Sequence, residues 1–275
     1  MNWLLISSDS TSQYFHYMKI TSLTLSILLP FTAVVQAQTP APAKPAAPAV
    51  KLPAQAPDVA APKMGPDGKP NTGFIASHEK FVGIAKEGKA QLVFLGDSIT
   101  AGWAGNGKEV WAKAFSEYTP ANFGIGGDRT QHVLWRIQNG ELDGGIKPKA
   151  CVLMIGTNNS GTDTAEGIAK GVTAIVETIR AKQPQAKILL LAVFPRGSKP
   201  DGQLNAQNDK LKEVNAIISK LDDGKNIFYL DIGGKFPVAD GKLDKTVMPD
   251  FLHLSPAGYQ IWADAIGPKL AELMK

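Results

Sequence analysis

The 275-residue chain is poor in the residues that anchor metals and disulfides: it has one cysteine and four histidines. A single thiol excludes an intramolecular disulfide, and Cys151 opens an apolar run, so it reads as a buried, inert side chain. No cluster of ligating residues has metal spacing. The "GIGG" at 124–127 lacks the G-K-[ST] ending of a phosphate-binding loop. Neither a metal nor a cofactor is expected. Excess charge is also scarce. The net charge is +4, and residues 38–70 supply half of it through four lysines against two aspartates. No Lys/Arg cluster is interleaved with aromatics, which argues against nucleic acid as a partner.

Long hydrophobic runs are missing as well. The apolar stretch within residues 18–37, "MKITSLTLSILLPFTAVVQA", is broken by Pro30 and several hydroxyls. It falls short of the roughly 20 apolar residues of a membrane span. Its basic start at Lys19 and its small residues Val35 and Ala37 fit a signal peptide that starts at Met18 and is cleaved after Ala37. The expected mature chain is therefore exported, periplasmic or extracellular, without a stable membrane span. Residues 38–70 hold nine Pro and nine Ala with no hydrophobic period. Such a composition buries too little apolar surface to offset its ordering entropy. Three regions follow: 1–37 upstream segment and signal peptide, 38–71 disordered tether, and 72–275 one folded domain.

Within that domain, apolar runs alternate with helical patterns. The strand candidates are 91–96, 121–125, 151–156, 187–194 and 226–232, and their near-continuous hydrophobicity predicts strands covered on both faces. Ile168, Val172, Ile175 and Ile179 form one helical stripe, with Asp163 and Glu166 as its expected cap. Tyr259, Trp262, Ile266, Leu270 and Leu273 form another, begun by Ser255-Pro256. This alternation predicts a three-layer α/β/α, doubly wound, flavodoxin-like domain with about five parallel strands. Ligands of such sheets bind beyond the carboxyl ends of the strands. Three strand exits there are rich in small and polar residues: Gly96-Asp97-Ser98, "GIGGDRT" at 124–130, and Gly156-Thr157-Asn158-Asn159.

A serine nucleophile needs a base and an orienting acid. His16 leaves with the signal segment, His78 precedes the first strand, and His132 lies in a helical stretch. His253 alone has a carboxylate nearby in a turn, at Asp250. Each feature also has a structural reading. Ser98 would cap a helix, Gly126-Gly127 would make a tight turn, and Asn158 would bond to its own loop.

In combination, Gly96-Asp97-Ser98, Gly127, Asn158 and Asp250-x-x-His253 resemble the motif series of the SGNH/GDSL hydrolase superfamily. The stretches "NFGIGGDRTQHVLWRIQNGEL", "GTNN" and "DFLHLS" are similar to the catalytic subunits of intracellular platelet-activating-factor acetylhydrolase and their bacterial relatives. The resemblance spans residues 75–275. It implies Ser98 as nucleophile, His253 as general base and then acid, and Asp250 as its partner. It also implies an oxyanion hole from the N–H groups of Ser98 and Gly127 and the amide of Asn158. A G-x-S-x-G elbow is absent, which separates the chain from α/β-hydrolases. Ser98 is expected at a helix N-terminus, and Asp128 with Gln131 is expected to cap the next helix. Ile99 and Leu252 flank the reacting residues and are expected to close an acyl pocket that favours acetyl and other short acids. The function that follows is a secreted serine esterase acting on a small-molecule or polysaccharide acyl ester. A binding domain on the same fold, or a membrane-tethered lipase or thioesterase, stays open at this point, as does a homodimer.

Overall fold

The structure, a computed structural model, describes residues 54–275; the expected signal segment and residues 38–53 of the expected tether lie outside the described residues. Five strands form a parallel sheet: β1 (Leu92–Gly96), β2 (Pro120–Gly124), β3 (Ala150–Met154), β4 (Lys187–Leu191) and β5 (Ile227–Leu230), in the order β2-β1-β3-β4-β5. The strand order reverses between β1 and β3, which opens a crevice beyond their carboxyl ends. Every residue of β1 and β3 is buried, as continuous apolar runs require. The outer strands differ from expectation. β2 alternates buried with half-buried residues and β5 is half-buried throughout, because each is an edge with one flank unpaired.

The helices are α1 (Thr72–Glu87), α2 (Ser98–Ala101), α3 (Lys108–Phe115), α4 (Thr130–Arg136), α5 (Ala165–Lys182), α6 (Ala206–Ile218) and α7 (Pro256–Leu273). α4, α5 and α6 pack side by side, and α3 packs with α7. Ile168, Val172, Ile175 and Ile179 are all buried. At about 1.5–3 kcal/mol per fully buried aliphatic side chain, this stripe is what holds α5 to the sheet. Its cap is Thr164, whose hydroxyl accepts from Gly167 N at 3.1 Å. Asp163, the expected cap, instead accepts a hydrogen bond from Asn159 Nδ2 at 2.9 Å. Ser255 caps α7 as expected. Cys151 is fully buried, which pushes its thiol up to about 12.

Residues 54–71 correct the expected domain boundary. Thr130 Oγ1 donates to Pro57 O at 2.8 Å, Ala61 N donates to Gln131 O at 3.2 Å, and Met64 bridges Pro70. This part of the Pro/Ala segment is docked on the domain. Composition records how little apolar surface the segment has to bury. It does not record the partners that its free backbone groups find on α4.

Candidate active site

β1 ends at Gly96 because nothing larger fits. A Cβ there would stand 2.1 Å from Thr100 Oγ1 and 2.5 Å from Met154 O. The chain then turns into α2, capped by Asp97, whose Oδ1 accepts from Ile99 N at 2.9 Å. Ser98 is therefore the first residue of the helix, not its cap. α2 has only four residues, so the expected dipole contribution at Ser98 is small.

Ser98 Oγ lies 2.8 Å from His253 Nε2, and His253 Nδ1 lies 2.7 Å from Asp250 Oδ2. Asp250 Oδ1 accepts from the backbone N–H of His253 at 2.7 Å and of Leu252 at 3.2 Å. Burial alone would raise the Asp250 carboxyl, but the hydrogen bonds from His253 and Leu252 together hold it below the usual carboxylate range. Phe251, between them, has φ of +63° although it is not glycine. Its buried side chain and the Gly197 N–H donated to its carbonyl at 2.9 Å hold this strained turn in place. The sequence contained no signal for this strain.

The second exit brings Gly126-Gly127 over Ser98: a methyl group on Gly126 would lie 4.0 Å from Ser98 Cβ. Gly127 has φ of +72°, a conformation that favours glycine. The third exit supplies Asn158, whose Nδ2 donates to Asp128 O at 2.8 Å and makes a longer contact of 3.4 Å with Asp97 Oδ2. Asp97 is fully buried, and burial pushes its carboxyl up to about 7 against the opposing Ile99 hydrogen bond.

Several expected supports take other parts. Asp128 does not cap α4. It pairs with Arg136 Nε at 2.9 Å and with Lys63 Nζ at 2.7 Å, because burial demands countercharges. The cap is Arg129, whose N–H donates to His132 Nδ1 at 3.1 Å. His132 is buried and its ring is pushed down to about 3, chiefly by desolvation and then by Lys63 and the neighbouring arginines. His78 is bonded to Glu141 at 2.9 Å, away from Ser98. Ile99 does not line a pocket: it is 2 % exposed and belongs to the core. Helical geometry carries the side chain that follows Ser98 inward. Leu252 is half-buried, and beside Asp250 it joins Arg196, Ser198, Asn205 and Gln207 around a cavity of about 330 Å³. Arg196 was not anticipated; its Nη1 donates to Thr157 O at 3.0 Å.

The model of the GDSL-like Lipase/Acylhydrolase family matches residues 94–261. Platelet-activating factor acetylhydrolase IB subunit alpha2 of Rattus norvegicus is 44 % identical over 188 residues, covering 68 % of this chain and 78 % of its own. Subunit alpha1 of Homo sapiens is 38 % identical over 202 residues, covering 73 % and 84 %. A solved structure described as a putative platelet activating factor from Streptococcus pneumonia covers 72 % of this chain and 94 % of its own, with TM-score 0.59 and 23 % identity. The carbohydrate acetylesterase Est24 from Sinorhizobium meliloti covers 67 % and 100 %, with TM-score 0.52 and 20 % identity. These two structural likenesses bear on the fold.

Proposed function

Since the chain belongs to the GDSL-like lipase/acylhydrolase family and is a carboxylic ester hydrolase, we propose that it cleaves short-chain acyl esters, acetyl esters above all, through an acyl-enzyme on Ser98. The observation that carries this reading is the unbroken line from Ser98 Oγ to His253 Nε2 (2.8 Å) and from His253 Nδ1 to Asp250 Oδ2 (2.7 Å). His253 removes the hydroxyl proton as Ser98 Oγ bonds to the ester carbon. The carbonyl oxygen becomes an oxyanion, received by the N–H groups of Ser98 and Gly127 and by Asn158 Nδ2. The C–O bond to the alcohol then breaks, and His253 delivers its proton to the leaving oxygen. Water repeats the sequence, releasing the acid and restoring Ser98. Asp250 keeps the His253 proton on Nδ1 and stabilises the imidazolium.

The Asn158 contact to Asp97, at 3.4 Å, is the weak one that a substrate oxygen can replace. The cavity beside Asp250 is lined by the polar side chains of Arg196, Ser198, Lys199, Asn205 and Gln207 and by one larger apolar side chain, Leu252. Such a wall suits a polar alcohol, for example the hydroxyl-rich portion of an acetylated glycan, better than a long alkyl chain.

The test is an ester panel on wild type and Ser98→Ala: p-nitrophenyl acetate and octanoate, acetylated xylan, and a lysophospholipid analogue. Acetate cleavage should exceed octanoate cleavage and vanish in Ser98→Ala. Turnover that survives Ser98→Ala overturns the mechanism, and faster octanoate cleavage overturns the acyl preference. Export rests on residues 18–37. Among the described residues no helix is long and apolar enough to cross a membrane. Recovery outside the cytoplasm of a chain beginning at Gln38 is the expected result. A chain retained with residues 18–37 attached would overturn it.

A further inference from the structure

The carbonyl of Gly126 and the N–H of Gly127 are two ends of one planar peptide group, pointing in opposite directions across it. Lys63 Nζ donates to that carbonyl at 2.6 Å. The proposed function assigns the opposite end, the Gly127 N–H, to the oxyanion. We propose that Lys63, carried on the docked segment 54–71, is a positioning residue for ester hydrolysis: it locks the orientation of the 126–127 peptide and polarises its N–H toward the oxyanion. This inference rests on the reading of Gly127 as an oxyanion donor.

A peptide between two glycines has no side chain to resist rotation, and Gly127 already occupies the left-handed region at φ +72°. Something else must prevent the carbonyl, rather than the N–H, from facing the substrate. Lys63 meets that need and is itself well held. Its carbonyl accepts from Asn71 N at 2.8 Å, and its ammonium is paired with Asp128 Oδ1 at 2.7 Å. The ammonium also stands 5.6 Å from the Phe74 ring centroid, and the side chain is 19 % exposed. Neutralising Asp128 does not by itself require the second contact, since Arg136 already pairs with that carboxylate at 2.9 Å. The bond to Gly126 O is the part of the arrangement that reaches the reaction. Hydrogen bonds in series strengthen one another by about 10–30 %, and one oxyanion donor is worth roughly 10²–10³ in rate, so removing the cation should cost about two- to eightfold in kcat.

The test compares p-nitrophenyl acetate with its thionoacetate counterpart, in which sulfur replaces the carbonyl oxygen and accepts hydrogen bonds poorly. In Lys63→Met, kcat for the oxygen ester should fall about two- to eightfold while the thiono ester falls by a smaller factor, so the oxygen-to-sulfur rate ratio shrinks. KM should stay within about twofold, because the interaction develops with the oxyanion. Lys63→Arg should restore most of the ratio, and Lys69→Met, on the same segment but exposed, should match wild type. Equal losses on both esters, or a change in KM alone, would overturn the proposal and leave Lys63 an ordinary ion-pair partner. Should Lys63→Met fail to fold, the same ratio measured on Lys63→Gln decides: an unchanged ratio overturns it. Ser98→Ala in the same assay separates the two levels. Residual turnover there defeats the site assignment itself, whereas its abolition beside an unmoved ratio in the Lys63 variants defeats the Lys63 inference only.

Discussion

Arg136 Nε stands 2.9 Å from Asp128 Oδ2, and neither side chain has any exposure. The same guanidinium donates to Glu141 through Nη1 and to Phe123 O through Nη2 at 3.0 Å. One cation thus ties the loop after β2 to the strand that precedes it. Replacing it with an apolar residue leaves two buried carboxylates with only Lys63 and His78 as partners. Arg136→Met should lower unfolding stability by about 3–5 kcal/mol, the usual cost of breaking a buried pair from one side. Chemical denaturation measures this; a loss under about 1 kcal/mol would mean the carboxylates are relieved in another way.

The interior strands and the polar residues at their tips were legible because both are local patterns. Continuous apolar runs gave β1 and β3, and Ser98, Gly127 and Asn158 follow strands directly. The turn from Asp250 to His253 was legible because the pair is three residues apart. What escaped depends on distant partners. Lys63 looks like tether charge until Asp128 and Gly126 are found beside it. Asp128 looks like a cap until Arg136 claims it. Ile99 follows Ser98 in sequence, yet the α2 turn carries it into the core. The edge strands betray their position only through burial, since β5 is as apolar in sequence as its neighbours.

Asn158 offers a cleaner test of the proposed oxyanion hole than Gly127, because truncating it leaves the backbone unstrained. Asn158→Ala should reduce kcat for p-nitrophenyl acetate by about 10²–10³, with a much smaller change in KM. Its Nδ2 also secures Asp128 O at 2.8 Å, so the thermal midpoint must be recorded alongside. A kcat within about threefold of wild type would remove Asn158 from the hole.

Asp97 makes stability depend on pH with an unusual sign. Burial, the largest influence, raises its carboxyl from 3.8 to about 7 in the folded protein. Between those values the folded form holds a proton that the unfolded chain has released, so stability falls as pH rises through the window. The full span corresponds to roughly 4 kcal/mol, reached once pH exceeds about 7. Asp97→Asn has no proton to lose there. Its denaturation free energy should decline less than that of wild type from pH 4 to pH 7, and the opposite ordering of slopes would refute the assignment.

In the proposed mechanism, Asp250 acts on the reaction through the imidazole alone. An amide at this position keeps the shape but no longer holds a positive charge on His253. It can also present N–H to Nδ1, shifting the ring proton to Nε2, where it blocks acceptance from Ser98. Asp250→Asn should therefore depress kcat by about 10²–10⁴ with KM nearly unchanged. The lower end of that range is expected because the carboxylate side chain is 39 % exposed and water shares its work. The Asp250 carboxyl is held below its ordinary range, so it stays ionised in mild acid and its own titration should not appear in the pH–rate profile of the wild type. Loss of activity in Asp250→Asn together with an unshifted thermal midpoint would place the defect in the hydrogen-bond relay; an equal fall in both would assign Asp250 to the stability of the 250–253 turn instead.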